Sequence, residues 1–102
     1  MYQYFYQGHR TDAATTEFVF EVSADRVSSF PVSIFLTKAA VTAWEKTHGR
    51  DLNGTEQYAI AKMALFAAFD DRSAPPEMRQ PVHVGTDQVE SIIEGLGLES
   101  ID

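Results

Sequence analysis

At 102 residues the chain has room for one domain, residues 1–102, and none for a second; 44% apolar and 12% aromatic content supports a packed core and argues against disorder. The absence of cysteine excludes disulfides, a thiolate nucleophile and any Cys-containing zinc site, which fits a reducing compartment and leads us to expect a cytoplasmic location. A net charge of −7 lacks the clustered Lys and Arg that nucleic-acid phosphates require, so no direct nucleic-acid binding is expected.

Met1 to Gly8 carries neither a basic n-region nor an apolar h-region and does not read as a signal peptide. It reads as a strand over Tyr2–Gln7, with Tyr2, Tyr4 and Tyr6 on one side and Gln3, Phe5 and Gln7 on the other. Gly8–Thr15 is polar and small, the expected loop of an antiparallel hairpin. The second strand spans Thr16–Ser23, with Phe18, Phe20 and Val22 facing one way and Glu17, Val19 and Glu21 the other. Ser23–Ser29 is polar and turn-like. The third strand, Pro31–Leu36, aligns Val32, Ile34 and Leu36 and starts with a proline that suits a first strand position.

At Thr37 the period changes from 2 to 3.6. Thr37 is positioned as N-cap of a helix to about His48, with Gly49 as its left-handed stop. Asn53 and Glu56 have capping-box spacing for a second helix, Thr55–Asp71, which ends before Ser73-Ala74-Pro75-Pro76. Within it Tyr58 to Phe69 is the longest strongly apolar stretch, 12 residues broken by Lys62, short of the about 20 a membrane span needs, so a soluble protein is expected. A short edge strand over Pro81–Val84 and a last helix from Thr86 or Asp87, ended by Gly95 and Gly97, complete the pattern. Residues 98–102 are expected to fray. The expected fold is α+β: a small antiparallel sheet of three strands, four if Pro81–Val84 joins, with about three helices mainly on one face.

Two features exceed the needs of a plain core. The second helix is apolar nearly all round, with a bulky side (Tyr58, Leu65, Phe66, Phe69) and a small side (Ala61, Ala64, Ala67, Ala68). Lys62 projects between Tyr58 and Phe66. It is either a Lys running its stem along apolar surface or the mark of a partly exposed contact surface. On the strands, each outward face carries one apolar residue: Phe5, Val19 and Phe35. In a suitable register they would lie side by side as a patch, covered by the last helix or by another subunit.

Chemical signatures are weak. His9, His48 and His83 have no metal-ligand spacing, no serine sits in a nucleophile motif, and no cofactor or metal is expected. Trp44, His48 and Asp51 form a ligand-site candidate near one helix end, against the blander reading of a half-buried structural histidine. From Thr86 to Asp102 there are five acids and no base, including the acidic face Asp87, Glu90, Glu94 and Glu99. That is either a solvated face or a mimic of nucleic acid docking on a basic protein. The residues therefore point first to a small non-enzymatic interaction or accessory domain, a homodimer or the binder of a protein partner. An acidic inhibitor of a basic protein and a small ligand binder or enzyme around His48 and Asp51 are the alternatives. The expected contact surface is Phe5, Val19, Phe35, Tyr58, Lys62 and Phe66.

Overall fold

The period-2 alternation of the first third of the chain builds a meander, and the helical segments that follow cover one of its faces. The computed structural model describes residues 2–72 and 75–96. In chain order the elements are β1 (Gln3–Thr11), β2 (Thr15–Ser23), β3 (Phe30–Thr37), α1 (Lys38–His48), α2 (Gly54–Asp71), α3 (Pro75–Met78), β4 (Val82–Val84) and α4 (Thr86–Leu96). The fold is α+β, with a four-stranded sheet in the order β1-β2-β3-β4. β1, β2 and β3 pair antiparallel, but β4 lies parallel to β3, placing Phe35 beside His83. The sheet is thus mixed instead of wholly antiparallel. Parallel neighbours need a long crossover connection, which α1, α2 and α3 supply.

β1 does not end at Gln7, and the expected loop over Gly8–Thr15 is mostly strand. Its register shifts between Tyr6 and Gly8: Tyr6 faces Phe20 and Gly8 faces Val19, leaving Gln7 as an extra residue. Such a bulge reverses which face each later side chain occupies. His9 thereby lies against Phe18, ring centroids 5.7 Å apart, and Arg10 pairs with Glu17 on the opposite face. Gly8 takes φ +140, a conformation open to glycine. The turn is short because the Asp12 carboxylate accepts the backbone N–H groups of Ala14 and Thr15, both at 2.8 Å.

One contiguous core fills the space between the sheet and the helices. The sheet contributes Phe18, Phe20, Val22, Val32, Ile34 and Leu36, all 3% exposed or less. Opposite them are Trp44 of α1, Ile60 and Leu65 of α2, and Val89 and Ile93 of α4. α4 packs against α1 and α2, on the same side of the sheet as they are. The alanine side of α2 (Ala64, Ala67, Ala68) borders a cleft shared with β4 and α4.

The helix ends obey local chemistry. Thr37 accepts the Ala40 N–H, and Gly49 closes α1 at φ +70. Asn53 and Glu56 form the complete capping box, each side chain accepting the other's backbone N–H at 2.8 and 3.0 Å. The segment after α2 is not a plain loop: α3 buries Met78 completely. Arg72 holds the segment in place by donating to the carbonyls of Glu77, Gln80 and Pro81 at 3.0, 2.6 and 3.2 Å. Gly95 lies within α4, which runs to Leu96. The expected stop at Gly97 and the tail 98–102 lie outside the described residues. Replacing Asn53→Ala, which leaves the N–H of Glu56 without its acceptor, should cost about 1 kcal/mol, read as a lower urea midpoint with unchanged slope.

Candidate interaction surface

No helix among the described residues covers the second face of the sheet. Phe5, Val19 and Phe35 all lie on it, but not side by side. Phe5 faces Glu21, Val19 faces Gly8 and Ser33, and Phe35 faces Glu17 and His83. The three step diagonally, with polar partners between them. Those partners are tied together. The Glu17 carboxylate accepts from Arg10 Nη2 at 2.6 Å and from Ser33 Oγ, and Ser29 Oγ donates to Glu21 at 2.7 Å. Phe35 is capped by the His83 ring, stacked at 5.2 Å and 15°. Val19 and Phe35 are consequently half-buried, whereas Phe5 remains 70% exposed.

Its neighbour in exposure is Val27, 89% exposed, in the β2–β3 loop. Phe5 and Val27 line one shallow depression of about 220 Å³ with Gln3, Glu21, Arg26 and Ser29. The loop is braced from within: Asp25 accepts the N–H groups of Val27 and Ser28 at 2.9 and 3.0 Å, and Arg26 sits at φ 65. With its amide oxygen toward the guanidinium, Gln3 accepts from Arg26 Nε at 2.8 Å. Val27 escaped the sequence reading because a single valine among Ser, Asp and Arg has no periodicity to mark it.

Tyr58, Lys62 and Phe66 are not an independent surface. They lie over β1, which runs antiparallel to α2 beneath them. Tyr6 meets Tyr58 at 4.7 Å, Tyr4 meets Phe66 at 5.3 Å and Tyr2 stacks on Phe69 at 4.9 Å. The Lys62 ammonium sits 5.8 Å from both the Tyr4 and Phe66 rings, its stem half-buried, in the manner of a Lys at a core edge. Within this ring cluster Tyr6 is 40% exposed, and Met63, also on α2, is 37% exposed.

Beyond Tyr6 a cleft of about 410 Å³ opens between the hairpin and the start of α2, lined by His9, Thr16, Phe18, Gln57 and Tyr58 among others. Tyr6 Oη and His9 Nδ1 are 2.9 Å apart. Desolvation, with Tyr58 nearby, pushes the Tyr6 phenol above its usual range. A neutral phenol donates to Nδ1 when the imidazole carries its proton on Nε2.

At the end of α1 the three candidate ligand-site residues do not converge on a space between them. His48 stacks on Trp44 at 4.4 Å and its Nε2 meets the Glu90 carboxylate at 2.9 and 3.0 Å, so its carboxylate partner is on α4 and is not Asp51. Arg50 lies 5.1 Å from the Trp44 ring and forms a two-point pair with Glu56 at 3.1 and 2.8 Å. Asp51 is exposed, and its backbone carbonyl accepts from Arg50. These contacts join α1 to α4 and to the capping box. The buried Trp44 indole N–H finds no acceptor among the described residues. The acidic face is likewise divided. Asp87 and Glu94 are exposed, Glu90 is held by His48, and Glu99 lies outside the described residues.

Among the described residues no group of three or more His, Asp or Glu side chains is arranged to hold a metal, and no helix is long and apolar enough to cross a membrane. The chain matches no protein-family model, no curated protein and no solved structure.

The charged pairs give this surface a pH signature. Hydrogen bonds from Ser33 and then Arg10 hold the Glu17 carboxyl below its ordinary value of 4.5. The folded state therefore takes up this proton less readily than the unfolded chain. The stability it brings is complete above the unfolded value and drains away as pH falls through the lower folded one. In urea titrations run from neutral to strongly acidic pH, Glu17→Gln should flatten part of the acid-side fall in midpoint. An unchanged slope would show that Glu17 is not held in this way.

Proposed function

We propose that this protein is a small non-enzymatic association domain, and that its uncovered sheet face and the adjoining β1 edge carry the contact, with a second copy of the chain as first partner. One observation supports the reading above the others. Phe5 and Val27, at 70% and 89% exposure, share a depression on the side of the sheet that no helix among the described residues covers. Neither contributes to the fold's own core, and enclosing each against another surface would yield about 1.5–3 kcal/mol. Isolated exposed apolar residues are ordinary, but two large ones lining one depression favour a contact surface.

The alternatives have less geometric support. The acidic-mimic reading loses Glu90 to His48, and the ligand-site reading around His48 loses Asp51 to solvent.

The test is equilibrium sedimentation of the chain and of a Phe5→Ser/Val27→Ser double variant up to high micromolar concentration. The mass of the parent should climb above 11.4 kDa with concentration while the variant stays at 11.4 kDa. Both positions are exposed, so the variant's unfolding free energy should stay within about 0.5 kcal/mol per substitution. A parent that holds at one chain mass throughout, or a variant that associates as strongly as the parent, overturns the reading.

A further inference from the structure

β1 is an open edge of the sheet, having β2 as its only strand neighbour among the described residues. An edge strand leaves a row of backbone N–H and C=O groups unpaired, and proteins guard such rows with charged side chains, proline, bulges or shortness. The opposite edge is guarded: β4 is three residues long, preceded by Pro81 and followed by Gly85. β1 is nine residues long, and no charged side chain or proline occurs before Arg10. Its one guard is the bulge at Gln7, which breaks the ladder only beyond Tyr6. The stretch Tyr2–Tyr6 is regular, aromatic and uncharged.

We infer that Tyr2–Tyr6 pairs antiparallel with the same segment of a second copy about a two-fold axis at Tyr4, joining two four-stranded sheets into one of eight strands. This rests on the association reading above and specifies its route. A second copy suits the edge for three reasons. Antiparallel self-pairing sets Tyr4 against the partner's Tyr4 and Tyr2 against the partner's Tyr6 on the helix side. It sets Gln3 against the partner's Phe5 on the open side. No like charges meet within the ladder, although the chain as a whole carries −7. Five residues span only about 17 Å of strand, too little alone for the roughly 1,000 Å² that a specific interface buries. The strand is not alone. Because β1 runs antiparallel beneath α2, the same axis brings the ring cluster of each copy, with its 40%-exposed Tyr6, toward its counterpart, and encloses Phe5 on the other side.

Hydrogen–deuterium exchange of the parent protein, followed from low to high micromolar concentration, tests the route without any substitution. The amides of Gln3–Tyr6 that point away from β2 should gain at least tenfold protection over the concentration range in which sedimentation shows the mass doubling, while those of β4 stay constant. If the mass doubles but the outward β1 amides gain no protection, edge pairing is wrong and the association reading survives with a different contact. If the mass never rises, both fall. Protection of β1 only on addition of an unrelated extended peptide, with the chain itself monomeric, also overturns the second copy as occupant.

Discussion

Everything in this molecule follows from burying one face of a sheet under helices and leaving the other, among the described residues, without one. Ile34 at the centre of β3 is fully buried and its neighbour Phe35 is not, although the two differ by one position in the chain. Three helices, α1, α2 and α4, crowd the Ile34 side, and α4 fits there because it packs on its fellow helices. A sheet covered once needs polar chemistry on its other side, and the Arg10–Glu17–Ser33 and Ser29–Glu21 bonds supply it. Where that chemistry runs out, at Phe5 and Val27, apolar surface is left over.

The bulge at Gln7 decides which residues meet on either face. Without it, His9 would fall on the open side and Arg10 among the core aromatics, since side chains alternate strictly along a regular strand. With it, His9 joins Phe18 and Tyr6, and Arg10 reaches Glu17. One inserted residue therefore allows β1 to be nine residues long and still amphipathic throughout. The same bulge confines the flat, uncharged part of the edge to its first half.

Long-range polar contacts fasten the helical layer at points where local structure alone would leave it loose. His48 to Glu90 links the end of α1 to α4, and Arg72 gathers four carbonyls of the segment leading into β4. The first is partly exposed and worth at most about 1 kcal/mol, so its effect is on alignment more than on stability. Arg72 does not offset Asp70 and Asp71, two acids that oppose the helix dipole at the end of α2: its guanidinium donates to carbonyls beyond the helix.

Local rules alone were enough to read much of this from the residues. Alternation marked Phe18, Phe20, Val22, Val32, Ile34 and Leu36 as one face, and the caps at Thr37, Gly49, Asn53 and Glu56 placed two helices, because each signal depends on neighbours within four positions. The place of Lys62 beside Phe66 was legible for the same reason, whereas its second ring, Tyr4, comes from β1 and was not. What the tertiary structure alone decided depends on partners distant in the chain. Register put polar residues between Phe5, Val19 and Phe35, the bulge carried β1 past Gly8, and the crossover made β4 parallel. Glu90 was supplied to His48 from 42 positions away. Val27, one valine in a polar loop, became the most exposed large apolar side chain beside Phe5 only when β1 and the β2–β3 loop came together. The exposure of a side chain is set by what the rest of the chain brings beside it, and no local pattern encodes that.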